Sequence, residues 1–397
     1  MLETRIAKEL AYISQAGLAR RITELYFVNP AQAQDRTGKT YLVLASNNYL
    51  GFTHAPEVIE AASRAALKFG TGSSGSRLTT GGTFIASELE KRLADFKHSE
   101  SALVFNTGYM TNLGVLYGLM QTGDVVFSDE LNHASIIDGC RISRCKVVVY
   151  KHNDMADLQR LLETEIVTGQ RFIVTDGVFS MDGDIADLPS LAVLKKQFNA
   201  CLIVDDAHGV GVIGNDGSGT ASHYGLTDVI DLQVGTLSKA LAAEGGYVAG
   251  KKILIDYLIN RSRPFIFSTA LAPATLAAAN AALLLLQTQA SKYLDSLRAN
   301  SRLMRRLLLE GGLNVVEGIT PIIPVVIGEA GLTMQFADRL KSKGILVSGI
   351  RPPTVPRGES RLRITVKAAH CEEQLRQAAQ IITALWQELK HGEKKEG

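Results

Sequence analysis

The chain has 397 residues, 46% of them hydrophobic and 21% charged, the make-up of a water-facing folded protein with room for more than one domain. Its 42 basic residues nearly cancel its 40 acidic ones, so charge gives no footing for nucleic acid or an anionic membrane. Cys140, Cys145, Cys201 and Cys371 lack metal-type spacing and the N-terminus MLETRIAKEL has no apolar signal segment; both features suit a reducing cytoplasm.

Residues 2–26 carry apolar positions at helical spacing (Ile6, Leu10, Ile13, Leu18, Ile22, Leu25), which predicts an N-terminal helix broken near Gly17. Arg20 and Arg21 lie late in it, either as solvated surface or as a guanidinium clamp for a carboxylate. Tyr41–Leu44 reads as a short strand. The polar turn after it carries Asn47, which could cap the turn or reach a ligand. Residues 69–82, FGTGSSGSRLTTGG, hold five glycines and six hydroxyls in fourteen positions. They could cradle a phosphate or form a flexible loop, but no Gly-Lys-Ser/Thr follows and the stretch is no Walker motif. Residues 84–97 form an amphipathic helix with Glu and Lys four apart.

From here apolar strands alternate with helical segments, which predicts an α/β fold with a mostly parallel sheet. Each strand is followed by chemistry. Ala102–Phe105 leads to Asn106-Thr107-Gly108-Tyr109, and Val125–Phe127 to Asn132-His133-Ala134-Ser135. Phe172–Val174 leads to Thr175-Asp176-Gly177 and Ser180, and Leu202–Val204 to Asp205-Asp206-Ala207-His208. The apolar run Val229–Val234 ends at Gly235, and Thr236, Ser238 and Lys239 follow. In open α/β sheets the ligand site lies beyond the carboxyl ends of the strands, so these groups gather on one edge. After Leu286 short strands (321–327, 345–347, 361–366) flanked by helices at 290–310 and 370–391 suggest a smaller α+β domain. The division expected is 1–45, 46–286 and 287–397. The charged tail HGEKKEG is expected to be disordered, and the Ala-rich 270–286 segment to be a buried helix rather than a membrane span.

A lysine placed after a core strand can have its ammonium form disfavoured by burial, freeing an amine that forms a Schiff base with an aldehyde. A solvated surface lysine is the ordinary alternative. A carboxylate at Asp205 would keep a pyridine nitrogen protonated and make the ring an electron sink. His133 could stack on a flat ring, His208 could bond a ring hydroxyl, and the amides of Gly108 and Tyr109 at a helix N-terminus suit a phosphate. Thr236 and Ser238 add hydroxyls. Together these describe pyridoxal 5′-phosphate. A metal held by His133, Asp205, Asp206 and His208 is the weaker alternative, because no HxxxH-type local pair supports it.

Nearly the whole chain resembles the α-oxoamine synthases, fold-type I enzymes dependent on pyridoxal phosphate. The resemblance rests on SNNYLGF (46–52), GTGSSGSRLTTGG (70–82), FNTGYMTN (105–112), LNHASIIDG (131–139), TDGVFSMDGDIADL (175–188), VDDAHGVGVIG (204–214), GTLSKAL (235–241), FIFSTAL (265–271) and RLRIT (361–365). It implies that Lys239 forms the Schiff base, His133 stacks, Asp205 pairs with the ring nitrogen, and His208 bonds the phenolic oxygen. Gly108, Tyr109 and Thr236 would hold the phosphate, Ser180 would contact the cofactor, and Ser268 and Thr269 would reach it from a partner subunit. Arg361, with Asn47 near it, would bind the amino acid's carboxylate. Arg20 and Thr354 would touch the acyl substrate. Among family members, RPPTVP (351–356) followed by SRLR (360–363) resembles most those joining L-alanine to a pimeloyl thioester. Members using glycine with acetyl-CoA, or serine with a palmitoyl thioester, are the alternatives. A non-catalytic assembly subunit or a phosphate-binding protein is the different-class alternative. A homodimer with shared active sites is implied, and no metal. One departure is Ala242-Ala243, where relatives often carry glycine or serine.

Overall fold

A computed structural model of the chain describes residues 1–15, 18–20 and 22–396. Its centre is a seven-stranded sheet, ordered 101–105, 246–250, 232–236, 201–205, 171–176, 125–129, 146–150. All neighbours run parallel except Gly246–Gly250, which is antiparallel to both of its partners. Strands such as Val125–Asp129 and Leu232–Thr236 are buried at every position. That is the pattern expected of a sheet covered by helices on both faces. The last sheet strand before Lys239 starts later than the run Val229–Val234 suggests. Val229 and Ile230 bond back to the Leu226 carbonyl and complete a turn instead.

The helix Pro273–Glu310 departs from helical geometry at Gln289 (φ −133°, ψ 26°). Its first part packs into the core under the large sheet, while Met304 and Leu308 enter a second core around Phe336, Ile364 and Trp386. That second core lies under an antiparallel sheet of Ile322–Gly328, Ser360–Thr365 and Ser348–Ile350. The N-terminal strands at 26–27, 32–34 and 40–43 form a further sheet, joined in parallel by Ile345–Leu346. The strands of residues 26–43 are thus tied by their backbone to the C-terminal part of the chain.

The first helix spans Leu2–Gln15, and none of its residues is buried. The break expected at Gly17 and the neighbouring Arg21 lie outside the described residues. The C-terminal helix runs Glu372–Glu396 and so continues through the charged tail expected to be disordered. Glu393, Lys394, Lys395 and Glu396 are good helix formers, and they extend a helix already anchored by its buried first turns. No helix among the described residues is long and apolar enough to cross a membrane.

Candidate active site

The carboxyl ends of the parallel strands surround a cavity of about 220 Å³. Eight of the expected residues line it: Gly108, Tyr109, His133, Ser180, Asp205, His208, Thr236 and Lys239. Burial draws the Lys239 amine down to about 8 against the opposing pull of the Asp205 and Asp176 carboxylates, and Arg363 adds repulsion. A larger fraction of this lysine is therefore neutral near pH 7 than of a solvated one.

Asp205 ends the Cys201–Asp205 strand, and both its oxygens receive N–H donors: Ala207 N at 3.0 Å and Asn112 Nδ2 at 2.6 Å. This is the surrounding of a carboxylate held ready for one more positive partner. Asp206 points elsewhere, into a buried pair with Lys97 Nζ at 3.0 Å and bonds from the Thr220 backbone and hydroxyl. It is thereby removed from any ligand set with Asp205. Asp176, opposite Asp205 on the next strand, accepts from His133 N at 2.7 Å. Its own burial, and then the charge of Asp205, raise it well above the usual carboxylate range.

His133 caps the helix Ala134–Ile142, accepting from Ser135 N. Burial is the main cause that lowers its pKa, and the Lys239 charge works in the same direction against Asp205. His208 is buried, and its Nδ1 lies 2.6 Å from the Tyr49 hydroxyl. Burial, followed by the cations of Lys239 and Arg363, keeps it neutral well below its ordinary value.

The helix Gly108–Leu119 is capped by Thr107, whose hydroxyl accepts from Met110 N at 3.0 Å, so the first amides beyond the cap face the cavity's rim. The Gly246 Cα sits so near this turn that an added Cβ would lie 2.6 Å from Gly108 Cα, which makes glycine the residue that fits. Thr236 Oγ1 donates to Gly245 O at 3.0 Å and sits 2.8 Å from Ser238 Oγ. In the loop after Lys239, Ala242 has φ +54°, a left-handed conformation that costs a residue with a Cβ about 1 kcal/mol. Glycine would not bear that cost at this position.

The arginines and the 268–269 loop divide as follows. The Arg361 guanidinium is committed to Asp182 and, at 3.1 Å, to Glu359. Arg363, two residues on and therefore on the same side of the strand, donates to Ser180 O and to Asn47 Oδ1 at 3.2 Å. It is Arg363 whose charge is felt at Lys239, His208 and Tyr49. Ser268 and Thr269 do not line the cavity of their own chain. The Thr269 carbonyl accepts from Asn106 Nδ2 at 2.7 Å, and Thr269 bridges to Ser76 in the glycine-rich loop. Arg20 and Thr354 meet in a second cavity of about 600 Å³, walled by Leu10, Ile13, Leu18, Ile350 and Pro352. Asn112, Ser135, Tyr49, Asp176 and Arg363 were given no role of their own by sequence. The available signal was Thr111-Asn112 within an otherwise apolar helix, both buried.

These residues fit pyridoxal phosphate: a depressed amine inside a cavity, a carboxylate with N–H donors on both oxygens, and a helix N-terminus pressed against glycine. The sequence pattern of the family described as aminotransferase class I and II matches residues 39–382. An 8-amino-7-oxononanoate synthase of Lysinibacillus sphaericus is 47% identical, over 94% of this chain and 96% of that protein. One of Geobacter sulfurreducens is 48% identical, over 97% and 98%. Among solved structures, serine palmitoyltransferase from S. paucimobilis superposes with a TM-score of 0.92 at 31% identity, covering 97% of each chain. The 8-amino-7-oxononanoate synthase from Francisella tularensis gives 0.75 at 30%, over 89% of this chain and 98% of that one. The chain belongs to the class I and II aminotransferase family and, within it, to the α-oxoamine synthases, acyltransferases of fold type I that use pyridoxal phosphate.

Proposed function

We propose that the chain condenses L-alanine with a pimeloyl thioester, carried by CoA or an acyl carrier protein, releasing CO2 and 8-amino-7-oxononanoate for biotin synthesis. The observation that carries this reading is its 47–48% identity, over nearly full length, to relatives bearing that name. The second cavity agrees with it. Apolar walls suit a polymethylene chain, and the Arg20 guanidinium suits a terminal carboxylate.

Bound pyridoxal phosphate supplies a protonated ring that accommodates the electron pair left when an amino acid loses its α-proton. Lys239 Nζ would hold the aldehyde and, once displaced by the incoming amine, take that proton; an amine near neutral pKa suits the task. Asp205 would keep the ring nitrogen protonated. His133 would lie against the ring and donate a hydrogen bond to the thioester carbonyl, where negative charge develops on attack. His208 and Ser180 would hold the phenolic oxygen, and Gly108, Tyr109 and Thr236 the phosphate. Arg363 with Asn47, in place of Arg361, would hold the alanine carboxylate.

A homodimer completes the site in this reading. Ser268 and Thr269 do not line their own cavity, and Thr269 is exposed, which supports the reading that they serve the site of a second copy. Mixing inactive Lys239→Ala protein with an inactive Ser268→Ala/Thr269→Ala double variant should then restore activity through hybrid dimers. We place the protein in the cytoplasm, in keeping with its four free cysteines. Steady-state rates for alanine, glycine and serine, each with pimeloyl, acetyl and palmitoyl thioesters, test the substrate assignment. Alanine with the pimeloyl ester should give the highest kcat/KM. A clear preference for serine with the palmitoyl ester would transfer the chain to the activity named for its structural neighbour.

A further inference from the structure

His133 and Asp205 stand at the ends of different strands, yet one run of hydrogen bonds joins them. Asn112, nearly fully buried in the helix Gly108–Leu119, donates from Nδ2 to Asp205 Oδ2 at 2.6 Å and to Ser135 Oγ at 2.9 Å. Ser135, also buried, has its Oγ 2.8 Å and its backbone nitrogen 3.2 Å from His133 Nδ1.

What each atom can donate fixes the direction of every bond. A carboxylate only accepts, so the Asn112 atom facing Asp205 is its amide nitrogen and not its oxygen. That nitrogen has two hydrogens, and the second is directed at Ser135 Oγ, which therefore accepts. The serine's own hydrogen is left for His133 Nδ1. The Ser135 backbone N–H points at the same ring nitrogen, and two converging donors leave no place for a proton on it. Nδ1 is an acceptor, and the ring's hydrogen resides on Nε2, which bonds to none of the described residues.

We propose that Asn112 and Ser135 are positioning residues that hold His133 as the neutral Nε2–H tautomer, so that the ring offers the cavity a hydrogen-bond donor. This rests on the reading that His133 faces the acyl substrate. A carbonyl oxygen gaining negative charge is stabilised by such a donor, whereas the opposite tautomer would present a lone pair to it. Other groups around the ring agree with the assignment. Asp176 accepts from the His133 backbone, leaving the ring nitrogens free of a carboxylate, and Tyr109 meets the ring edge-on at 6.4 Å.

The test uses the holoenzyme labelled with ¹⁵N-histidine. Long-range ¹H–¹⁵N spectra distinguish the two tautomers and the imidazolium, and the His133 signals are those lost in His133→Asn. The Nε2–H pattern is expected across neutral pH; an Nδ1–H or doubly protonated ring would overturn the proposal. In Ser135→Ala the signals should move toward a tautomer average. With cofactor still bound, kcat should fall on the order of tenfold with the alanine KM unchanged. Ser135→Thr, which keeps the hydroxyl, should restore both. A Ser135→Ala protein with the wild-type tautomer and kcat would remove this residue pair from the role. The spectrum reads a ring proton rather than turnover, so it stands or falls separately from the substrate assignment.

Discussion

The two cavities are built in opposite ways. The strand-end cavity, about 220 Å³, takes its walls from the ends of strands in one sheet, and Asp205 and His208 in its wall, with Asn112 bonded to Asp205, are each buried and hydrogen-bonded. The second cavity, about 600 Å³, takes walls from the Leu2–Gln15 helix, none of whose residues is buried, and from residues 349–354. Its Arg20 is exposed. Sheet register places reacting groups within fractions of an ångström, and a buried polar network resists displacement because each lost bond strands a partner. A peripheral helix and loop can change without disturbing that register. In the proposed reading, chemistry is held by the core and choice of acyl chain is left to the margin.

Substitutions can break or sharpen this contrast. Lys239→Ala should lower kcat by about 10⁴-fold, and borohydride reduction of the holoprotein should leave no pyridoxyl label on the chain. Retention of the label at the wild-type level would place the Schiff base elsewhere. The next largest effect is expected on stability. Lys97→Met strands the Asp206 carboxylate, a pair with side chains 0% and 1% exposed, and should cost about 3–5 kcal/mol in urea unfolding. Lys97→Met/Asp206→Asn should recover much of that loss. Within the cofactor region, Arg363→Lys should raise the alanine KM on the order of 100-fold, because a lysine cannot reproduce the planar fork of donors. Arg361→Lys should change it far less; the reverse ranking would return the carboxylate to Arg361. At the margin, Arg20→Ala should raise the KM for the pimeloyl thioester by roughly tenfold, the weight of one charge-assisted hydrogen bond, and leave the alanine KM and the melting temperature near wild type. A fall in melting temperature as large as that of Lys97→Met would show the two regions to be built alike.

Lys239, His133, Asp205 and His208 were legible because each closely follows an apolar strand-forming run, and strand ends in this architecture point to one edge. The strand Gly246–Gly250 was not, since a five-residue stretch bounded by glycines has the look of a loop. Its antiparallel place between two strands is a tertiary fact. The Arg361–Arg363 exchange arose from strand periodicity: residues two apart share a face, and the partners that divide them, Asp182 and Asn47, lie about 180 and 316 positions away in sequence. Asn112 and Ser135 read as a polar residue in an apolar helix and a first-turn serine, each with an ordinary structural meaning when seen alone.

By itself the sequence determined the α/β architecture and the cofactor, because hydrophobic periodicity and short motifs are local properties of the chain. Only the tertiary structure decided that Arg363 and not Arg361 bonds to Asn47, that Ser268 and Thr269 lie off the cavity of their own chain, and that Asn112 and Ser135 run between Asp205 and His133. Those outcomes depend on distances between groups far apart in sequence, and a hydrogen bond exists only where folding brings donor and acceptor within about 3 Å.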